Sequence, residues 1–278
     1  MSKLTNKEGA RPFNTRLERQ FATFCLHEAA HTVTAVAQAI SVTKALVFDE
    51  RKGKIKPDSL AYRRFIESDD NLLAAVESGI LPGGGAFPEL DENTPIDSML
   101  AFIHAPESVE KSVAWTDKSQ ISVHVTADQH AFDTIARRQP RFSELFQVWK
   151  LEEQNMLALQ PIWDAIEKIS DYLREKEKIN NPEILSLTLE PFISSLDKAT
   201  CADDFLVESY KGSPVPFEIL KMYVIEGALN IYVLSINIYK KSQSPIDPAF
   251  LQRYMALVGE YQTLLEERGP SIVNLGSP

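Results

Sequence analysis

His27-Glu28-Ala29-Ala30-His31 is the stretch of this chain whose residue types and spacing can do chemistry. On a helix, histidines at i and i+4 lie one turn apart on one face, so their imidazoles can converge on a single zinc ion. Glu28 projects beside them, placed to take a proton from a zinc-bound water whose pKa the metal lowers toward neutrality. That chemistry is hydrolysis, with His27 and His31 as metal ligands and Glu28 as general base. The competing reading is a histidine pair on an ordinary core helix with Glu28 solvated, because short motifs also arise by accident. The elements that would position these residues therefore matter.

The motif lies inside Arg16 to Ile40, where Phe21, Phe24, Ala35 and Val36 form part of an apolar helical stripe free of Gly and Pro. Asn14 and Thr15 offer N-cap side chains just upstream. Ala29 and Ala30 leave room for neighbouring backbone beside a metal. Cys25, two residues before His27, points away from that face and reads as a core thiol.

Val42 to Phe48 is β-branched and apolar enough for a strand, followed by a turn over Asp49 to Gly53 and a second short strand around Lys54-Ile55. Asp69 to Ser78 reads as a helix. Pro82-Gly83-Gly84-Gly85 and Pro88 read as an irregular loop, a flap or linker. It is not a phosphate loop, since no G-x-x-x-x-G-K-[ST] occurs in the chain. Thr94 is placed to cap a helix with Pro95 at its first position and Met99, Leu100 and Ile103 on its apolar face. Asp97 then falls in the first turn, where the helix dipole favours a carboxylate. Arg141 to Lys178 reads as one long helix, or two broken near Pro161. Further helices are expected over Pro182 to Leu196, Pro216 to Tyr239 and Pro248 to Glu267, and fraying from Gly269 onward. The fold class is mainly α with a small β-hairpin or sheet. A boundary near Asn180 would divide residues 1–180, carrying the motif, from an all-α region, 181–278.

With 278 residues, 44% of them hydrophobic and 24% charged, the chain is long enough for a real core. A net charge of −10 and no basic cluster with interleaved aromatics argue against nucleic acid as a partner. Two cysteines far apart, Cys25 and Cys201, do not form a disulfide framework and fit a reducing, cytoplasmic setting. Residues 1–16 lack the apolar core of a secretion signal. Tyr223 to Tyr239, interrupted by Glu226, Asn230 and Asn237, reads as a buried helix and not as a membrane span.

His27-Glu28-Ala29-Ala30-His31, running on into Val33, Ala35, Val36 and Ala37, resembles the peptidase M41 family, the zinc protease domain of FtsH-type proteases. It looks closest to stand-alone domains of that kind without an ATPase. The resemblance spans roughly residues 14 to 185. It implies a zincin-like core with a strand pair after the motif helix, then a small-residue helix, matched here by Leu72-Leu73-Ala74-Ala75-Val76-Glu77. A Gly-containing loop follows, and then an Asp at the start of a further helix as third zinc ligand. Asp97 in Pro95-Ile96-Asp97-Ser98 is the counterpart so implied. Glu77, Glu89, Asp91, Glu92 and His104 remain as nearby alternatives. The stretch Gln160 to Lys178 is similar to the helix that closes such domains. In zincins a strand flanking the motif helix often walls the cleft, and an extended peptide can pair with its edge. The implied activity is ATP-independent zinc metallopeptidase action on flexible protein or peptide segments, with Zn2+ as cofactor. The alternative is a zincin-derived helical interaction protein whose metal is structural or lost, its α-helical C-terminal half serving as the docking surface for a protein partner.

Overall fold

The computed structural model of the chain describes residues 15–48, 83–113, 159–201 and 217–268, together with Asp128, Phe132, Asp133, Arg137, Met156 and Leu157. Helix α1 (Arg16–Ala37) carries the motif and runs through the centre of the molecule. Its start is fixed by Thr15, whose hydroxyl accepts from the Glu18 amide at 3.1 Å, as an N-cap should. From Gln20 to Val36 every residue is buried, so this helix is enclosed on all sides and not amphipathic at a surface.

Strand β1 (Val42–Phe48) follows α1 and is the middle strand of a three-stranded antiparallel sheet. One neighbour is β2 (Gly83–Pro88), pairing Val47 with Gly84 and Ala45 with Ala86, with a register shift between Val42 and Lys44. The other is β3 (Lys178–Asn180), pairing Ala45 with Ile179. Two expectations change here. The glycine run is a strand, at the edge of the sheet among the described residues, and not an irregular loop, and β1, expected to offer an edge, is covered on both sides. Glycine is a poor strand former in general, but at Gly84 a side chain is excluded by close packing: a Cβ there would stand 2.5 Å from Oε1 and 2.7 Å from Cδ of Glu28. The segments expected as a strand at Lys54-Ile55 and a helix at Asp69 to Ser78 lie outside the described residues, as do residues 141–155 and the tail 269–278.

Helix α2 (Ile96–Ser112) packs along α1. It begins one residue later than the Thr94 cap implies. Pro95 occupies the cap position, while the Thr94 hydroxyl closes a turn with Asp91. Helix α3 (Gln160–Lys176), with Pro161 in its first turn, also lies against α1 and ends at Glu177 in the left-handed region (φ 61°). The Glu177 carbonyl then accepts from the Val47 amide, leading the chain into β3. Helices α4 (Asn181–Cys201), α5 (Phe217–Lys241) and α6 (Pro248–Arg268) complete the described chain and match the helices expected there.

One hydrophobic cluster runs from Phe21 through Ile166, Phe192 and Val224 to Leu257, so α1 and the C-terminal helices share a core. Gly227 lets α5 approach α4 closely, since a Cβ there would overlap the Phe192 ring. The Asn230 side chain donates to the Ala37 carbonyl at the end of α1 at 2.8 Å. By length and composition Leu220–Lys241 would also suffice to cross a membrane, although one side of it is packed into this core.

Candidate metal centre

One turn apart on α1, His27 and His31 bring their Nε2 atoms to 3.1 Å. Their other ring nitrogens are tied back. His27 Nδ1–H donates to Glu110 Oε1 at 2.7 Å, and His31 Nδ1–H donates to the Phe102 carbonyl at 2.7 Å. Both acceptors belong to α2. Such partners fix the tautomer and ring orientation of a metal-binding histidine, so that Nε2 is the nitrogen presented to the metal.

The Phe102 acceptor has a cause in the sequence. Pro106, inside α2, carries no N–H, so the carbonyl four residues before it loses its helical donor. That carbonyl is Phe102's, and it takes the His31 proton instead. The Phe102 ring also packs on the His31 imidazole, centroids 4.7 Å apart.

Asp128 closes the group, its Oδ2 3.0 Å from His27 Nε2 and 3.4 Å from His31 Nε2. His27, His31 and Asp128 are close enough together to hold one metal ion. Ligand atoms 2.0–2.2 Å from a tetrahedral zinc stand about 3.3–3.6 Å from one another, a few tenths of an ångström from these separations. The donor set, two imidazoles and a carboxylate, suits zinc.

The carboxylate that the structure brings to the two histidines is Asp128 and not the expected Asp97. Asp97 is exposed in the first turn of α2, where its charge suits the helix dipole, and it does not join the histidines. Glu89, Asp91 and Glu92 are exposed in the segment before α2, and Glu77 lies outside the described residues. His104 is half-buried further along α2, beside Glu107 at 3.5 Å, and is likewise not in the group. Glu110 and Asp128 were not singled out from sequence, yet each left a trace. Glu110 interrupts the apolar spacing Phe102, Pro106, Val109, Val113, an unexpected place for a carboxylate. Asp128 heads Ala131, Phe132, Ile135 and Ala136, a helical apolar pattern ending before Pro140.

Burial shapes the electrostatics. His27, Glu28 and His31 are only 3%, 4% and 5% exposed, while the Asp128 side chain, at 28%, reaches the surface. Burial works against a charge on His27, but hydrogen bonds to Asp128 and Glu110, with the charges of Asp128 and Glu28, outweigh it and hold its pKa well above the usual histidine value. Burial also raises the Glu28 carboxyl, against the pull of the two histidines. Asp128 moves the other way: burial opposes its charge, yet the His31 charge and hydrogen bonds to both rings keep it ionised far below the ordinary carboxylate range.

No family model, no curated protein and no solved structure matches the chain. The reading of its function rests on the chemistry of this site.

Proposed function

We propose that the protein is a zinc-dependent metallopeptidase in which His27, His31 and Asp128 hold the metal and Glu28 is the general base. The observation that carries this reading is the tying of both Nδ1–H groups to α2 acceptors while both Nε2 atoms converge with Asp128, the arrangement of histidines prepared for a metal. Three protein ligands would leave one position for water, the pattern of a catalytic site and not of a closed structural one. Zinc, when bound there, supplies Lewis acidity, lowering the pKa of a coordinated water to about 7 and polarising a scissile carbonyl.

The chain's own residues perform the rest. Glu28, its carboxyl raised by burial, takes a proton from the attacking water and delivers it to the leaving amine. Glu110 and Phe102 hold the imidazoles in register, so the ligands need no reorganisation. Gly84 brings strand β2 against Glu28, and among the described residues β2 pairs on one edge only, with β1. An extended peptide adding to the other edge through backbone hydrogen bonds would run beside the base. A flexible segment suits such binding, and the zincin-like core implied by the M41 resemblance is part of the same proposal.

The burial of Glu28 favours a second reading, a helical interaction protein with a structural metal. Hydrolysis of an unfolded protein substrate by zinc-loaded wild type and by Glu28→Gln separates the two. The peptidase reading expects turnover to fall about 100-fold or more in the variant with zinc retained. A wild type that holds zinc yet cleaves no unfolded substrate rejects it.

A further inference from the structure

Between α4 and the α5–α6 hairpin lies a cavity of about 1040 Å³ that shares no residue with the metal centre. Leu185, Leu189 and Ile193 of α4 line one wall, and Ile238 of α5 and Phe250 of α6 line the other. The packing of the helices explains it. α4 meets α5 closely where Phe192 lies against Gly227, and α6 packs on α5 through Phe250 and Tyr254 around Tyr232. The Arg253–Asp197 ion pair ties α6 to α4 directly. Held at these points, the helices stand apart between them.

Sites for small molecules are clefts of about 300–1,000 Å³, mostly apolar with a few polar groups that fix orientation. This cavity has that size and that lining, and its length narrows the class of ligand. α4 lines it from Pro182 to Asp197, about 22 Å at 1.5 Å per residue. An extended hydrocarbon chain advances about 1.2 Å per bond, so a chain of about 16 carbons spans roughly 19 Å. A partner's helix, about 10–12 Å across, would have to part α4 from α6 where Arg253 and Asp197 join them. A chain one carbon wide does not.

Charge selects the head group. The two acids in the lining, Glu190 and Asp197, are each held by a cation, Lys168 at 2.7 Å and Arg253 respectively. No lysine, arginine or histidine lines the cavity itself. A carboxylate head would therefore meet two acids, and an ammonium head would meet acids already engaged. Hydroxyls are what the lining offers. Ser186 and Ser194 are exposed and bond to no other described residue, and Ser242 and Ser244 bring their hydroxyls to 3.0 Å at the end of α5.

We infer that this cavity binds a neutral single-chain lipid, a monoacylglycerol, with its chain laid along α4 and its glycerol hydroxyls among these serines.

Displacement of the uncharged dye Nile red from the full chain tests this, using monopalmitoylglycerol, palmitate and hexadecylamine below micelle formation. The three share a chain length and differ in charge. Monopalmitoylglycerol is expected to displace the dye and to bind about 10-fold or more tighter than either charged ligand, whose heads lose water without gaining a partner. Leu189→Trp and Ile193→Trp fill the cavity and are expected to abolish binding of dye and lipid, with unchanged circular dichroism verifying the fold. Ser186→Ala, Ser194→Ala and Ser244→Ala combined, all at exposed positions, should weaken monopalmitoylglycerol about 2- to 10-fold for each hydrogen bond lost, while the dye binds as before. Failure of monopalmitoylglycerol to displace the dye overturns the proposal. So does palmitate or hexadecylamine binding as tightly, a folded tryptophan variant that binds like wild type, or a serine variant with undiminished affinity.

Discussion

An imidazole presents one nitrogen to a metal, and in His27 and His31 the choice is made outside the motif, by the Glu110 carboxylate and the Phe102 carbonyl. The motif residues were legible because their chemistry and their spacing are the same fact. Glu110 and Asp128 were not, because what recruits them is the path of the chain through space. Asp97 illustrates the difference: a first-turn aspartate is fully explained by its own helix, and its sequence position says nothing about where that helix end lies. The site as it stands expects Asp128→Ala to cut zinc affinity severely and Asp97→Ala to leave it unchanged, measured by competition with a chelator. Equal losses from both would return Asp97 to the site. The raised pKa of His27 sets a pH dependence. In the metal-free protein, the stability gained from protonated His27 is fully present below about pH 6.5, its ordinary value, and fades as pH rises through the raised folded value. Zinc needs the deprotonated ring, so its contribution runs oppositely. The difference in Tm between zinc-loaded and stripped protein is therefore expected to widen as pH rises through that value and to close below it. A difference independent of pH would mean His27 is not a ligand.

At the scale of elements, α1 and α2 form a unit in which one helix carries the two histidines and the other carries the acceptors that orient them. Pro106 belongs to this division of labour, since a proline inside a helix costs stability and here frees the acceptor that holds His31. Pro106→Ala should restore the helical bond to the Phe102 carbonyl, leaving Tm unchanged or higher while zinc affinity falls, by up to the 10- to 100-fold seen when such supporting partners are lost. Unaltered affinity would show that His31 does not depend on that carbonyl. The helices were legible where an apolar stripe and a Pro or cap coincided, as at Thr15, Pro161 and Pro248. Strand β2 was not, because Gly83-Gly84-Gly85 carries no strand propensity and its conformation is imposed by pairing with β1 and by the Glu28 side chain over Gly84.

Over the whole molecule, the shared core ties the site to helices that contribute no ligand. Phe192 of α4 is fully buried between α5 and the interior, and Phe192→Ala is expected to cost about 3–5 kcal/mol. If α1 and the C-terminal helices fold as one unit, calorimetry should show a single transition lowered for both. A surviving high-temperature transition carrying bound zinc would instead mark the C-terminal helices as a separate unit. A continuous core of this kind cannot be read from sequence, where a composition without long linkers fits one domain or two equally.

Anomalous scattering at the zinc edge from crystals grown with equimolar zinc locates the metal directly. The expected result is one strong peak roughly 2.0–2.2 Å from His27 Nε2, His31 Nε2 and an Asp128 carboxylate oxygen, with no fourth protein ligand and Glu28 close by but uncoordinated. A peak elsewhere, a fourth protein ligand closing the shell, or no peak at this group would contradict it.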